Sequence, residues 1–455
     1  MSLVRTPPVV PRRDHGATDG GPRRGRPPAR NEIVRSGRLG GLAPDDLAAR
    51  FGTPCYVYDL DVIARQVAGL RAALPPGAEL AYAVKANPAL AIVTHLGRLG
   101  LGADVASGGE LATALRAGVP PERIVMTGPG KRDVELASAV RVGIRAITVE
   151  SPGELARLER IAAEAGVCQP ILLRAAVSED ARLERVRLVG DDGAGKFGMD
   201  PTDLIGAGRH AAGSPHLDLL GLHAFGASNV LDASAIVAHV EATGGLARRL
   251  AEATGTPLRI VDAGGGLGIP YEPHDESLDL VRLRSGLAGV AADWAADPWL
   301  AGAALLLEPG RFLVGPAGAY VARVVDVKTV SGNVVAVLDG GVHHVLRPAL
   351  VGQEHRVRAL TPAGGRAVPV TIAGPLCSGL DVLASAAVMP VPRVGDLVAV
   401  LDVGAYGFTE SMPLFLSHPM PAEVAVAGGR AALIRPRLDP GEWLDRQLVP
   451  DLLAP

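Results

Sequence analysis

Short apolar runs alternate with longer alanine- and leucine-rich stretches between residues 79 and 308. Most neighbouring runs lie about 20 to 40 residues apart, which is enough for a crossover helix, and such alternation predicts parallel strands. Eight strand–helix units favour a closed barrel. A doubly wound open sheet stays the alternative, because spacing does not reveal closure. The predicted strands are Glu79–Val84, Gly102–Val105, Arg123–Met126, Arg145–Val149, Pro170–Ala175, Leu219–Ala224, Leu258–Ala263 and Ala304–Glu308.

The pattern changes after Pro309, where the runs become β-branched and are separated by glycine and proline turns. This pattern predicts a second, mainly antiparallel β domain. A short helix and the apolar run Cys55–Tyr58 begin the folded part, and we expect the first residues of the barrel region to pair with the β domain. The predicted divisions are a disordered basic tail over 1–35, an α/β region forming a (β/α)8 barrel over 36–310, the β domain over 311–440 and a tail over 441–455.

Composition narrows the class of protein. The chain has 455 residues, 48% of them apolar, and a formal net charge of only -3, so charge gives no reason to expect a nucleic-acid partner. The arginines before residue 31 lie among prolines and glycines, which is typical of a solvated extension, although a basic tail is also able to contact nucleic acid or a membrane.

The chain has only three cysteines, Cys55, Cys168 and Cys377, which are too few for a disulfide framework or a zinc site, so no metal is predicted. No apolar signal segment or membrane span is evident, and the protein is predicted to be cytoplasmic.

Lys85 ends the first predicted strand, where barrel enzymes place reactive groups. Four apolar or aromatic residues precede it. Either the side chain extends along this apolar surface to water, or partial burial lowers its pKa and suits it to forming a Schiff base.

Other predicted strand ends carry complementary chemistry. Gly264–Gly266 follows the seventh strand and offers backbone N–H groups to an anion. Glu308 and Arg311 follow the eighth strand, while His223, Phe225 and Ser228 follow the sixth. A lysine, a glycine loop, an acid and an aromatic ring are the parts needed to hold a phosphorylated pyridine aldehyde.

Five motifs in order resemble those of the fold-type III pyridoxal-phosphate decarboxylases, which include diaminopimelate, ornithine and arginine decarboxylases. The resemblance covers about residues 40–430. It implies an alanine-racemase-like (β/α)8 barrel plus a C-terminal mainly antiparallel β domain, pyridoxal 5'-phosphate as cofactor, and a head-to-tail homodimer with shared active sites. The motifs are Tyr82-Ala83-Val84-Lys85-Ala86-Asn87, Gly264-Gly265-Gly266, Glu308-Pro309-Gly310-Arg311, Cys377-Ser378-Gly379-Leu380-Asp381 and Gly404-Ala405-Tyr406.

The resemblance also implies roles for single residues. Lys85 matches the Schiff-base lysine, and Asp104 matches the carboxylate that orients it. Cys377 matches a cysteine lent by the partner subunit to reprotonate the substrate Cα, with an ordinary buried cysteine as the alternative. The residues that match phosphate ligands are Gly265, Gly266, Arg311, Ser228 and Tyr406.

Glu308 favours decarboxylation over racemisation. A carboxylate at the pyridine nitrogen keeps that nitrogen protonated, so that the ring can accept the electrons released when carbon dioxide leaves. Alanine racemases of the same fold are expected to place an arginine there.

Several positions depart from diaminopimelate and ornithine decarboxylases. Phe225 stands where those enzymes carry a histidine stacked on the cofactor ring, and His223 is a weaker candidate for this contact. Ser378 replaces the acid that follows the catalytic cysteine and binds a distal amine. Arg347 resembles the arginine that binds a distal carboxylate, but Val351 replaces the tyrosine expected after it.

These departures shape the hypothesis about the substrate. Arg347, Ser378 and Arg311 are the predicted substrate contacts, and together they offer no acid for a distal ammonium group. The stretch from Met412 to Pro419 resembles the branch that acts on amino acids tethered to acyl-carrier proteins. Lys196–Met199 matches a family segment near the site, with a plain surface loop as the alternative.

The leading hypothesis is therefore decarboxylation of an acidic or acyl-modified L-amino acid, either free or tethered to an acyl-carrier protein, in specialised metabolism. Diaminopimelate decarboxylation in lysine biosynthesis is the alternative. A non-catalytic PLP-binding regulatory protein is an alternative from another class, although such a protein would be expected to have lost Lys85 or Cys377.

Overall fold

The structure is a computed structural model that describes residues 33–176, 196–272, 274–362 and 364–450. Residues 1–32 of the predicted basic tail lie outside the described residues. The described chain begins with elements that precede the barrel: β1 (Val34–Arg35), β2 (Arg38–Leu39), α1 (Pro44–Phe51), β3 (Cys55–Asp59) and α2 (Leu60–Ala73).

Eight parallel strands close into a barrel in which the last strand pairs with the first. The prediction of a closed barrel is therefore confirmed, and each predicted strand lies within two residues of an observed one. The strands are β4 (Glu79–Ala83), β5 (Gly102–Val105), β6 (Ile124–Met126), β7 (Ala146–Val149), β8 (Gln169–Arg174), β9 (Leu217–His223), β10 (Ile260–Asp262) and β11 (Ala304–Leu307).

Helices follow the strands and cover the barrel. Several of these helices begin with an N-cap residue. The Ser107 hydroxyl accepts a hydrogen bond from the Glu110 backbone amide at 3.2 Å, and Asp279 caps its helix in the same way. The helices are α3 (Leu90–Arg98), α4 (Gly108–Arg116), α5 (Asp133–Val142), α6 (Pro152–Ala165), α7 (Pro201–Gly213), α8 (Ala233–Thr254) and α9 (Leu280–Ala296). No helix in the described ranges is long and apolar enough to cross a membrane.

The rest of the described chain forms the predicted second, mainly antiparallel sheet. Its strand pairs are antiparallel except for β13 with β15 and β18 with β3. The elements are α10 (Arg311–Val314), β12 (Gly318–Val330), β13 (Asn333–Leu338), α11 (Arg347–Val351), β14 (Val357–Ala359), β15 (Ala367–Ala373), β16 (Val382–Pro390), β17 (Leu397–Leu401), β18 (Ala422–Ala427), β19 (Arg430–Arg435) and α12 (Pro440–Leu444).

Strand β3 joins the sheet to the start of the barrel. It lies between β12 and β18, and it leads directly into α2, which packs against the barrel. A second connection lies at the carboxyl ends of the barrel strands, where the Asn87 side-chain amide donates to the Gly404 carbonyl at 2.9 Å and the Tyr406 amide donates to the Ala86 carbonyl at 2.8 Å. These bonds hold a loop of the sheet against the segment that carries Lys85.

Three histidines of the sheet region, His343, His344 and His355, are buried. Nearby arginines further disfavour a proton on His355. Burial lowers the pKa of His343 to about 4, that of His344 to about 2 and that of His355 to about 4. The rings of His343 and His344 lie 3.8 Å apart between centroids, so a proton on either ring would place charge beside the other.

We expect these histidines to make stability fall in mild acid. Because their pKa values are lower in the folded chain than in the unfolded chain, their contribution is complete above the ordinary histidine pKa of about 6.5 and is lost as the pH falls below it. For His343 the loss at about pH 5 is about 2 kcal/mol. Urea denaturation at about pH 7.5 and about pH 5 measures the effect.

His343→Phe keeps a ring and removes one titrating group, so it should narrow the difference between the two urea midpoints. His274→Phe, at an exposed position, is the matched control and should leave that difference as it is. Equal pH dependence in the wild type and in His343→Phe would contradict the prediction.

Candidate active site

Lys85 lies at the carboxyl end of β4, in a single turn of 3-10 helix over Val84–Ala86. Its Nζ lies 3.3 Å from Asp104 Oδ2, and 47% of its side chain is exposed. The nearby Asp104 carboxylate raises the pKa of Lys85 above its ordinary value, and burial only partly opposes this effect. The structure thus differs from the lowered pKa expected for a partly buried strand-end lysine, because an acid stands beside the amine.

Asp104 is buried in β5, the barrel neighbour of β4. Its Oδ1 accepts a hydrogen bond from the Thr127 hydroxyl at 2.6 Å, which leaves Oδ2 directed at Lys85. Burial and the charge of Glu308 raise the pKa of Asp104, whereas Lys85 lowers it. Lys85 therefore favours the negatively charged form of Asp104, and Asp104 in turn holds the Lys85 amine in position.

His223, Asp262 and Glu308 form a buried cluster at the ends of β9, β10 and β11. These strands are consecutive in the barrel, so their carboxyl ends meet. His223 Nε2 lies 3.4 Å from Glu308 Oε2, and the potential ligand atoms of all three residues lie within 4.8 Å of one another. Among the described residues, Glu308 Oε1, Asp262 Oδ2 and both ring nitrogens of His223 have no hydrogen-bond partner. Histidine nitrogens and carboxylate oxygens grouped in this way are also ligands for divalent cations.

Charge is unequally distributed in this cluster. Burial would raise the pKa of Glu308, but His223 and Lys85 oppose it and lower the pKa to about 2. Burial and the neighbouring Glu308 raise the pKa of Asp262 well above its ordinary value. The two shifts are opposite, so of these two acids Glu308 keeps its negative charge more readily than Asp262.

The sequence around Asp262 predicts only a glycine loop and does not identify this acid as a site residue. Its position as the last residue of a strand between those of His223 and Glu308 is the signal that identifies it.

The glycine loop after β10 passes very close to its neighbours. A Cβ atom at Gly265 would lie 2.5 Å from the Glu308 carbonyl oxygen, and one at Gly266 would lie 2.5 Å from the Ala227 carbonyl oxygen. Gly266 also has a φ of 93°, which favours glycine. The backbone N–H groups of Gly265 and Gly266 donate to no described residue. The loop therefore presents free amide donors, as an anion site requires.

Phe225 and Ser228 lie on the segment that follows β9 and faces this loop. The Phe225 ring is 37% exposed, and its Cδ2 would lie 2.9 Å from a Cβ atom at Gly264. Ser228 is partly buried. His223 lies deeper, beside Glu308, so the structure places Phe225 against the glycine loop and His223 in the acidic cluster.

Arg311 is buried between two tyrosines beyond the glycine loop. Its Nη1 donates to the Tyr271 hydroxyl at 2.8 Å, and its guanidinium carbon lies 4.7 Å from the centroid of the Tyr406 ring. Tyr406 has a φ of 53° and is fixed by its hydrogen bond to the Ala86 carbonyl. Tyr271 was not among the predicted site residues.

Arg347 also lies over the Tyr406 ring, with its guanidinium carbon 5.1 Å from the ring centroid. Its Nη1 donates to both carboxylate oxygens of Glu410, at 3.0 Å and 2.7 Å. Arg347 was predicted as a substrate contact, but Glu410 was not predicted at all. The two residues are 63 positions apart, so no local spacing reveals the pair.

Cys377 is exposed in the loop between β15 and β16, and Ser378 beside it is partly buried. Asp381 holds this loop, because its carboxylate accepts hydrogen bonds from the Val342 and Leu376 amides, both at 2.7 Å. No hydrogen bond, ion pair or ring contact among the described residues links Cys377 or Ser378 to Lys85. Among the described residues of one chain, these two residues are therefore not tied to Lys85 by a contact of these kinds.

Lys196–Met199 packs against the carboxyl end of β8. The Met199 amide donates to the Arg174 carbonyl at 2.9 Å, and the Phe197 ring lies 4.6 Å from the Arg174 guanidinium carbon. Arg174 in turn pairs with buried Glu150 at 2.8 Å. The segment thus lines the barrel end that carries Lys85.

These residues fit pyridoxal phosphate. The amine of Lys85, the unpaired Oε1 of anionic Glu308 and the free amides of the glycine loop match the aldehyde, the ring nitrogen and the phosphate of that molecule. When bound, the cofactor supplies a pyridinium ring that accepts the electrons released as carbon dioxide leaves the substrate.

Comparison with known proteins identifies the same chemistry. Residues 60–315 match the family described as "Pyridoxal-dependent decarboxylase, pyridoxal binding domain". The chain is 32% identical to diaminopimelate decarboxylase of Zymomonas mobilis and 32% identical to L-glutamyl-[BtrI acyl-carrier protein] decarboxylase of Niallia circulans, each over 86% of this chain and 92% of the relative. Its fold matches the crystal structure of M. jannaschii diaminopimelate decarboxylase in complex with L-lysine, with a TM-score of 0.85, 28% identity, and coverage of 92% of this chain and 98% of that chain.

Proposed function

Because the chain belongs to the fold-type III pyridoxal-phosphate-dependent decarboxylases, we propose that it decarboxylates an acidic or acyl-modified L-amino acid, free or carrier-linked, in specialised metabolism. The decarboxylase class and the cofactor follow from membership of the family. The substrate is the proposal. The observation that carries it is the residue directly after Cys377: Ser378 is neutral, and a distal ammonium group bound there would require an acid.

The relatives support two substrates. Several carry the name diaminopimelate decarboxylase, and diaminopimelate is accordingly the alternative substrate. The relative from Niallia circulans is named for an L-glutamyl group on an acyl-carrier protein. Because decarboxylation needs a free α-carboxyl group, a glutamyl substrate of this kind would be attached through its side-chain carbonyl. Its distal end then carries no ammonium group, which fits Ser378.

We assign roles within this proposal as follows. Lys85 would hold the cofactor, Asp104 would orient the amine, and Glu308 would supply a negative charge to the ring nitrogen. Phe225 would contact the ring, while His223, 3.4 Å from Glu308, favours the charged form of that acid. The residues that would bind the phosphate are Gly265, Gly266, Ser228, Arg311 and Tyr406.

The position of Cys377 supports a homodimer with shared active sites. The thiol is exposed and has no contact with Lys85 among the described residues of one chain, so we assign it to the site of a partner subunit, where it would deliver a proton to the substrate Cα. Ser378 would enter the same site beside it.

Carbon dioxide release from a panel of amino acids tests the substrate. We expect L-glutamate or its side-chain thioesters, free or carrier-bound, to react at least about 100-fold faster than meso-diaminopimelate or L-ornithine, since a buried distal ammonium group would lose its partner. Both groups are compared as kcat/KM at equal cofactor loading. Efficient production of lysine from meso-diaminopimelate would instead establish the alternative.

A further inference from the structure

The guanidinium of Arg347 is already paired with a carboxylate of its own chain. Nη1 contacts both oxygens of Glu410, the Arg347 side chain is only 4% exposed, and that of Glu410 is 27% exposed. A charge-assisted contact of this kind is strong when it is shielded from water. The positive charge expected to attract a free carboxylate is thus cancelled inside the protein.

The backbone around the pair holds it in place. Arg347 begins α11, and Glu410 ends a turn of 3-10 helix over Phe408–Glu410. The Ser411 hydroxyl accepts a hydrogen bond from the Leu346 amide at 3.1 Å and donates to the Gly407 carbonyl at 2.7 Å. The neighbours of both charged residues are therefore tied to each other, so the ion pair is part of the fold.

The pair lies close to the reacting end of the site. Arg347 and Arg311 both lie over the Tyr406 ring, with distances of 5.1 Å and 4.7 Å from their guanidinium carbons to the ring centroid. The Tyr406 amide is bonded to Ala86, the residue after Lys85. A substrate that reaches from Lys85 along Tyr406 would meet Arg347 and Glu410 together.

We propose that Glu410 determines specificity by making this end of the site neutral, so that the enzyme selects an uncharged acyl group, such as a thioester or an amide, over a free distal carboxylate. This inference rests on the proposed function and narrows it. A guanidinium has five N–H donors, so Arg347 can donate to an acyl carbonyl oxygen while it keeps Glu410. A free carboxylate would bring a second negative charge next to Glu410 or would have to displace it.

A second role for Glu410, binding a distal ammonium group, is less consistent with the geometry. Both of its oxygens accept from Arg347, so an ammonium group would have to compete with a buried guanidinium. The two roles predict opposite changes when the acid is neutralised.

The test compares the wild-type holoenzyme with Glu410→Gln on two probes, L-glutamate and its side-chain thioester with N-acetylcysteamine. The wild type should prefer the thioester. In Glu410→Gln the freed charge of Arg347 should shift the ratio of kcat/KM values towards L-glutamate by about tenfold or more, mainly through KM, because Arg347 binds the distal group and not the reacting atoms.

Two further variants are controls. Adding Arg347→Gln to Glu410→Gln should abolish the shift, since the freed guanidinium is then absent. Glu164→Gln removes an acid from the exposed pair with Arg160 and should leave the ratio unchanged. A ratio in Glu410→Gln within about twofold of the wild type, a shift that survives in the double variant, or a selective loss of activity on L-ornithine would overturn the inference.

If Glu410→Gln does not fold, inhibition of the wild-type holoenzyme tests the role of Glu410 instead. Glutarate should inhibit more weakly than its monomethyl ester, and stronger inhibition by glutarate would overturn the inference. These experiments distinguish failure of this inference from failure of the proposed function. If the enzyme prefers meso-diaminopimelate, the proposed substrate is wrong. If it prefers L-glutamate over its thioester, only the role of Glu410 is wrong.

Discussion

Replacing Lys85 by alanine is expected to abolish retention of the cofactor and to lower decarboxylation by about 10⁴-fold or more, because the amine both holds the cofactor and moves protons beside it. The geometry supports this size of effect. The amine lies at the carboxyl end of β4, where Asp104 fixes it at 3.3 Å, and it is exposed towards the barrel mouth. The measurements are visible absorption of the bound cofactor after dialysis and single-turnover release of carbon dioxide.

Lys328→Ala is the matched control for this experiment. Lys328 lies on the exposed sheet, 3.9 Å from Asp326, so its loss should change neither the absorption nor the rate. Lys131 is unsuitable, since its buried amine pairs with Glu154 at 2.7 Å and donates to two backbone carbonyls, and its removal would disturb the fold. A Lys85→Ala protein that stays coloured after dialysis would refute the assignment of the cofactor lysine.

The barrel could be predicted from the sequence because its signals are local. Each strand is a short apolar run, and a polar residue that follows such a run lies at the carboxyl edge of a parallel barrel. Lys85 and Asp104 meet because β4 and β5 are neighbours, and His223 and Glu308 meet because only β10 separates their strands. The order of the strands and the closure of the barrel were therefore sufficient to predict that these side chains lie at the same end of the barrel.

The parts that could not be predicted depend on contacts between distant segments. The ion pair of Arg347 with Glu410 joins a helix start to a later turn, and neither position is distinguished by its neighbours in sequence. The raised pKa of Asp262 follows from burial of this second acid beside Glu308, which a glycine-loop motif does not reveal. The elevated pKa of Lys85 likewise follows from its distance to Asp104.

Replacing Glu308 by glutamine is expected to lower turnover by about 10²- to 10³-fold while the cofactor stays bound. Glutamine keeps the size of the side chain but loses the negative charge, and a fixed charge in a buried site is worth several kcal/mol to a transition state. The unpaired Oε1 of Glu308 is the atom available to a protonated ring nitrogen. Single-turnover carbon dioxide release measures the loss, and Glu252→Gln, in the exposed pair with Arg248, is the control.

Asp262→Asn separates the charge of this cluster from its packing. Because burial and Glu308 raise the pKa of Asp262, asparagine imitates the neutral form that this environment favours, and turnover should stay within about tenfold of the wild type. Glu308→Gln removes the anion itself and should be far more damaging. Equal losses in the two variants would mean that the two acids share the negative charge, and the assignment of Glu308 as the sole anion at the ring nitrogen would then be wrong.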